Sequence, residues 1–270
     1  MDTDSNRRGF LRKSLAVLAT GAASAKLLIP NAFSKDTTPK QIEGPYYPPK
    51  GYRNNMYNDD FNNDLTMIKG LVAEADGNKV YLIGEVRDHL GKIVAGARVE
   101  VWQACHFGRY QHPGDKAYDL GPRDPKFQYY GVAKTDKHGR YAFKTILPPA
   151  YPSGVIKSWW RPPHIHFKIS KTGYKEVTTQ IYFNDLTLSH DENEKRHLEL
   201  QRKDLVLRSL RKEKKRNKLI VDLQLAKHHK GLDARLVQSG LSFKAERDLH
   251  KWEEAKVGKF DIKLKNQMDD

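Results

Sequence analysis

Between Leu65 and Phe183 the chain runs through short stretches in which apolar and polar residues alternate, separated by Gly- and Asp-containing turns. Val80–Val86 reads as a strand and Asp88–Lys92 as a turn. Ala97–Trp102 alternates strictly, Thr135–Arg140 reads as a second turn, and Tyr141–Thr145 as the strand that follows it. A period of two places alternate side chains on one face of a sheet. Such strands at regular spacing predict an all-β fold, an antiparallel β-sandwich with long loops and little helix. Ahead of it, Lys35 to Asn63 is rich in Pro, Gly, Tyr and Asn and contains Glu43-Gly44-Pro45-Tyr46-Tyr47-Pro48-Pro49. Its prolines exclude a helix, so an extended arm is predicted, with its tyrosines on the surface of the main domain. Further on, Ser189 to Asn217 is dense in charge, and Leu205, Leu207 and Leu210 give it a partial apolar stripe. That pattern is compatible with a short amphipathic helix or a solvated segment. Leu219–Leu225 alternates again, Ala226–Lys256 is a polar excursion, and Val257–Leu264 reads as a closing strand. The expected parts are therefore a leader over 1–34, an arm over 35–63 and a β-sandwich domain over 64–270.

Composition narrows the classes of function. The chain has 270 residues and a formal net charge of +15. A charge of that size invites a nucleic-acid partner. The basic residues are spread along the chain, however, and no nucleic-acid motif accompanies them, so no nucleic acid is expected. At the N-terminus, Asn6-Arg7-Arg8-Gly9-Phe10-Leu11-Arg12-Lys13 precedes an Ala-rich apolar stretch from Ser14 to Ile29. The stretch is short and weakly hydrophobic for a membrane span. Twin arginines followed by Phe-Leu and such a segment resemble a twin-arginine export signal. That resemblance implies a periplasmic or extracytoplasmic protein that crosses the membrane folded, with transient membrane contact through the leader. Ala23, Ala25 and Ala32 offer cleavage sites, and an uncleaved anchor or a chance Arg-Arg before a buried helix are the alternatives. Cys105 is the only cysteine, which excludes an intramolecular disulfide and a Cys-based zinc site. Stability then rests on the core, a metal or oligomerisation, and a homo-oligomer stays open as an expectation.

Chemistry concentrates in Trp160-Arg161-Pro162-Pro163-His164-Ile165-His166-Phe167. If this run is a strand, His164 and His166 share a face. Two adjacent imidazoles suit a metal ion, although an His-x-His pair by itself is as readily structural. Two tyrosines follow strands upstream, in Gly108-Arg109-Tyr110 and Ala150-Tyr151-Pro152, where loops can aim both at one point. Each taken alone reads as an amphipathic surface residue. His106, His112 and His138 stand isolated in turns or loops and read as surface residues.

Taken together, these motifs and Thr179-Gln180-Ile181-Tyr182-Phe183 resemble the intradiol ring-cleaving dioxygenases, the ferric catechol and protocatechuate enzymes. The Glu43–Tyr47 arm and the Val99–Gln103 strand share the resemblance, which extends from Glu43 to Leu264. It implies a non-heme Fe(III) cofactor held by Tyr110, Tyr151, His164 and His166. It implies a catecholic substrate opened with O2 to a muconate-type diacid, and catalytic roles for Arg161 and Gln180. Tyr151 would be the ligand that leaves on substrate binding and Tyr110 the one retained, with Arg161 stabilising charge where oxygen attacks. Phenolates are hard anionic donors and select ferric iron over zinc or copper. Ser153 stands where the protocatechuate-type enzymes carry Trp, which leaves the choice among protocatechuate, catechol, hydroxyquinol and larger catechols open. Two other classes compete. A non-catalytic transthyretin-like binding module would share the Asp-x-x-Gly turns of Gly84–Phe143. A zinc hydrolase built on the histidine pair would need a carboxylate or third histidine as a further ligand, for which no motif is present.

Overall fold

A computed structural model describes residues 36–49, 62–116, 120–152, 160–183, 216–225 and 255–269. The leader over 1–34, the Ser153–Ser158 loop, and most of the charged and polar segments over 189–217 and 226–256 lie outside the described residues. In chain order the strands are β1 (Lys79–Asp88), β2 (Arg98–Trp102), β3 (Tyr130–Lys134), β4 (Arg140–Ile146), β5 (Tyr151–Pro152) and β6 (Trp160–Arg161). They continue with β7 (His164–Ser170), β8 (Val177–Phe183), β9 (Ile220–Val221), β10 (Leu223–Leu225), β11 (Lys256–Lys259) and β12 (Ile262–Leu264). A single 3-10 turn, Arg216–Leu219, is the one named helical element among the described residues.

The turns form for local reasons. Asp88 Oδ1 accepts the N–H groups of Leu90 and Lys92 at 2.9 and 2.8 Å, closing the turn after β1. Asp136 Oδ1 repeats this before β4, accepting from His138 and Arg140 at 2.8 Å each. Side-chain oxygens of this kind bond the backbone a few residues on and replace a ladder bond with a reversal. Gly139 completes the second turn at φ +74°, and a Cβ there would sit 2.7 Å from the Val86 carbonyl oxygen.

The all-β expectation holds as two five-stranded sheets. One has the order β10-β11-β1-β12 with β4 also paired to β1; the other has the order β3-β2-β7-β8-β9. The predicted antiparallel pairing is present at β1–β4, β2–β3, β2–β7, β7–β8 and β10–β11. Three pairs are parallel, β1 with β11, β1 with β12 and β8 with β9, so both sheets are mixed. Two expected strands are each divided. The run Leu219–Leu225 breaks at Asp222, with β9 joining the second sheet and β10 the first. The run Val257–Leu264 breaks at Phe260-Asp261, where the chain bulges over Gly84. A Cβ on Gly84 would lie 1.9 Å from the Phe260 carbonyl oxygen, which Tyr141 Oη also meets as a donor at 2.5 Å.

The sheets pack through the inward side chains of β7 and its neighbours. Phe167 lies 6.2 Å from the Tyr141 ring, 6.4 Å from Phe143 and 5.2 Å from Phe260. Val99, Val101, Ile165 and Ile169 share its face and are fully buried. The opposite face of the same sheet carries Trp102, His166 and Gln180 in one cross-strand row and His164 opposite Tyr182 in the next. That outer face is buried as well.

Candidate metal centre

The arm covers part of this outer face. It starts beside β12, where Thr38 donates to the Lys263 carbonyl and accepts from the Lys263 amide through Oγ1. Passing β8, Gln41 donates to the Thr178 carbonyl at 2.9 Å, and Pro39 accepts from Thr179 Oγ1 at 2.7 Å. Past that edge, Tyr46 stacks on Tyr110 with 4.6 Å between ring centroids, and Tyr47 sets its edge on Trp102 at 4.8 Å. The arm tyrosines were expected on the surface of the domain. Both are half-buried there, and Tyr46 lies directly over a candidate ligand. Of the three histidines read as surface residues, His106 and His138 are exposed. His112 is half-buried, its ring 5.6 Å from Tyr46.

Each candidate donor is placed by a distinct local structure. His164 and His166 are positions one and three of β7 and point the same way. Pro162 and Pro163 follow β6 and mark the entry into β7. Tyr151 sits in the short β5, paired to β6 with Tyr151 opposite Arg161. Tyr110 ends a tight loop in which Cys105 donates to the Arg109 carbonyl and Gly108 to the Cys105 carbonyl, both at 2.8 Å. Gly108, at φ +77°, passes so close to Tyr151 that a Cβ would meet the Tyr151 Cβ at 3.0 Å. The buried Arg109–Asp115 ion pair fixes the loop, and Asp115 also accepts the Tyr110 N–H at 2.6 Å.

The structure brings Tyr110, Tyr151, His164 and His166 together. Tyr151 Oη lies 3.2 Å from Tyr110 Oη and 3.2 Å from His164 Nε2. The rings of His164 and His166 are 4.9 Å apart, and Trp102 stacks on His166 at 4.7 Å and 12°. Because the Pro162 carbonyl can only accept, His164 Nδ1 carries the proton at 2.6 Å from it. His164 Nε2 is then the bare donor facing the tyrosines. His166 Nδ1 is buried with no hydrogen-bond partner among the described residues.

Electrostatics keep the site neutral. Burial, and then the Arg161 charge, lower the His164 pKa to about 3. Burial, then His164 and Arg161, hold His166 well below its ordinary value. Both imidazoles therefore keep their lone pairs at neutral pH. Burial raises Tyr151 to about 12, with Arg161 opposing, and raises Tyr110 well above the ordinary phenol value. Two buried phenols of this kind ionise when a cation compensates them.

Arg161 and Gln180 meet beside the four donors. Arg161 Nη2 donates to Gln180 Oε1 at 2.6 Å, and the same oxygen accepts from Tyr182 Oη at 3.0 Å. Tyr182, Tyr46, Trp102 and Asp115 were not singled out from the sequence. Tyr182 could have been found, since it lies two residues from Gln180 on the same strand face, as His166 does from His164. Asp115 carried no signal, because it lies six positions along a loop from Arg109.

The donors fit a metal. Ligand atoms about 2.0–2.1 Å from one ion lie roughly 2.9–3.4 Å apart at right to tetrahedral angles, the range of the two 3.2 Å contacts. Two oxygens that become phenolates with two neutral nitrogens form a set suited to a hard trivalent ion. Among the described residues no group of three or more His, Cys, Asp or Glu could hold a metal ion, so the zinc-hydrolase alternative finds no further ligand of that kind there.

Comparison with known proteins points the same way. The dioxygenase family model matches residues 42–225. The chain is 42% identical over 130 residues to the protocatechuate 3,4-dioxygenase beta chain of Burkholderia cepacia, covering 47% of this chain and 54% of that one. It is 30% identical over 161 residues to a chlorocatechol 1,2-dioxygenase of Pseudomonas putida, covering 54% of each. The chain thus spans about half the length of these relatives. In fold it resembles hydroxyquinol 1,2-dioxygenase from Pseudomonas putida DLL-E4, with a TM-score of 0.53 and 19% identity over 86% of this chain and 67% of that one. Wild-type catechol 1,2-dioxygenase of Acinetobacter radioresistens gives a TM-score of 0.51 and 20% identity, covering 86% and 64%.

Proposed function

This chain belongs to the dioxygenase family, and from that membership we propose that it is a non-heme Fe(III) intradiol dioxygenase acting on a catechol and O2. One observation carries this reading, the meeting of Tyr151 Oη with Tyr110 Oη and His164 Nε2 at 3.2 Å in a buried, uncharged site. Tyr110, Tyr151, His164 and His166 would hold the iron. When bound, the ferric ion supplies an electron-accepting centre at which a catecholate becomes reactive toward dioxygen, giving a muconate-type diacid.

The chain's own residues do the rest. His164 stays a neutral donor because the Pro162 carbonyl holds the proton on Nδ1. Tyr110 and Tyr151 release their protons on loading and, with one hydroxide from solvent, would balance the ion's three charges inside the site. On substrate binding, Tyr151 Oη takes back one catechol proton and withdraws, while Tyr110, clamped through Asp115, stays. A hydroxide from solvent takes the second catechol proton, so one dianion replaces two monoanions and no uncompensated charge is buried. Arg161 lies beside the ring and stabilises negative charge where oxygen attacks. Gln180 orients Arg161. The Asn6–Lys13 motif and the apolar stretch after it support export by the twin-arginine route to a periplasmic or extracytoplasmic site.

The test is the absorption spectrum of the purified, iron-loaded protein, repeated after anaerobic addition of catechol, protocatechuate and hydroxyquinol. A tyrosinate-to-iron band in the visible, shifted by substrate, with O2 uptake on admitting air, is expected. Tyr110→Phe and His164→Ala should abolish the band. A colourless protein that binds catechols equally well with and without these substitutions would leave a binding module as the better description.

A further inference from the structure

The side-chain amide of Gln180 bonds both the arm and Arg161. Its Nε2 donates to the backbone carbonyl of Ile42 in the arm at 2.7 Å. Its Oε1 accepts from Arg161 and from Tyr182. The residue is fully buried, so each end of the amide faces one set of partners. A carbonyl cannot donate and a guanidinium cannot accept, so the two ends cannot be exchanged without facing donor to donor and acceptor to acceptor. The orientation of the amide is therefore set by the arm as much as by Arg161.

The arm reaches this point along a defined path. Thr179 Oγ1 holds Pro39, the Thr178 carbonyl holds the Gln41 amide, and Lys168 pairs with Glu43 at 2.9 Å one residue past Ile42. Gly44 follows at φ +78°, close enough that a Cβ would lie 3.4 Å from His166 Cε1. The arm thus carries a backbone acceptor to Gln180 and then closes over the histidine pair.

We infer that Gln180 is a positioning residue that couples docking of the 36–49 arm to the placement of Arg161. With the arm seated, the amide is locked with its oxygen toward the guanidinium. With the arm displaced, Nε2 loses its acceptor, the amide is held through its oxygen alone, and Arg161 faces a less firmly oriented partner. Coupling of this kind is reciprocal, so loss of Arg161 also weakens the seat of the arm. The catalytic meaning of this coupling rests on the role of Arg161 in the proposed dioxygenase reaction; its structural part does not.

Two cycles test it on the full-length protein. The first follows hydrogen exchange at the Gln41 amide, which reports arm docking whether or not the protein is active. Arg161→Ala should reduce protection of Gln41 about tenfold in the otherwise unaltered chain, and should add little once Gln180→Leu is present. The second follows turnover of the iron-loaded enzyme. Thr179→Val loosens the arm without touching Gln180 and should lower kcat several-fold with KM nearly unchanged, but not when Gln180→Leu is already present. Gln180→Glu separates the two ends: it keeps an acceptor for Arg161 and loses the donor to Ile42. Arm protection should fall, and kcat should fall less than with Gln180→Leu. Multiplicative effects in either cycle, or an arm loosened by Thr179→Val with unchanged kcat, would overturn the coupling. Absence of any visible band or O2 uptake in the unaltered protein would instead defeat the dioxygenase reading, and the exchange cycle would still decide the coupling.

Discussion

Removing the Asp115 carboxylate is a severe single perturbation of the site outside its four candidate metal donors. Asp115 and Arg109 are each about 3% exposed at the side chain, with Arg109 Nε 3.1 Å from Oδ2. The same carboxylate accepts the Tyr110 N–H at 2.6 Å, and Arg109 Nη1 donates to the Gly121 carbonyl at 2.7 Å. Asp115→Ala takes the counter-charge from a buried guanidinium, a change that costs about 3–5 kcal/mol. For a unit of this size that is a fall of about 10 °C in Tm. It also releases the backbone of Tyr110, so iron affinity should drop about 10–100-fold, as when a group that orients a ligand is lost. Urea unfolding of the iron-free protein gives the first number, and iron titration followed by visible absorption gives the second. The double variant Arg109→Met/Asp115→Leu leaves no charge behind and should recover at least about half of the lost stability. The reasoning fails if Asp115→Ala costs less than about 1 kcal/mol, or if the double variant is as unstable as the sum of its parts.

Gly44→Ala should leave global unfolding within about 1–2 kcal/mol and act locally, since φ +78° and the 3.4 Å approach to His166 strain the arm rather than the core; faster exchange at Gln41 with little change in Tm checks this. Gly84→Ala has no such escape, because its Cβ would lie 1.9 Å from the Phe260 oxygen; a loss of about 3 kcal/mol or more is expected in urea unfolding. Phe167→Ala, opening a void between the two sheets, should cost about 3–5 kcal/mol by the same assay without removing the visible band of whatever folded protein remains. Stripping iron with a chelator should lower Tm reversibly, by an amount equivalent to about 4 kcal/mol if free iron had stood a thousandfold above its Kd; a Tm indifferent to iron would contradict a site built into the fold.

The sandwich was legible because it is written in short-range chemistry. The apolar run Val80–Val86 and the alternating run Ala97–Trp102 became β1 and β2, and Asp88 and Asp136 closed the turns that their spacing suggested. What could not be read is long-range. Nothing in Val257–Leu264 tells that it runs parallel to β1, or that it must break where Gly84 lets Phe260 come close. Nothing in Leu219–Leu225 tells that Asp222 divides it between two sheets. The site followed the same division. Tyr110, Tyr151, His164 and His166 were found as donor types in local motifs, and the structure brings them together. Asp115 and Trp102 act through contacts that the sequence does not reveal.

The burial of β7 explains why an arm is needed at all. His164-Ile165-His166-Phe167 is buried at all four positions. Ile165 and Phe167 face the other sheet, which is an ordinary sandwich interior. His164 and His166 therefore point away from the core, to a face that in a two-layer sandwich would meet water. Wet imidazoles beside wet tyrosines would hold a metal weakly and would expose a reacting catecholate to solvent. Covering that face takes polypeptide that belongs to neither sheet. The loop ending at Tyr110, the β5–β6 pair and the arm supply it, and each brings a group aimed inward. A cover made this way is tied down by a few hydrogen bonds rather than by a core. Its seating is thus among the less stable features of the fold, and the chemistry beneath it is exposed to whatever loosens it. This is the physical reason to look for control of the site at Thr179, Gln180 and Glu43 rather than among the metal donors.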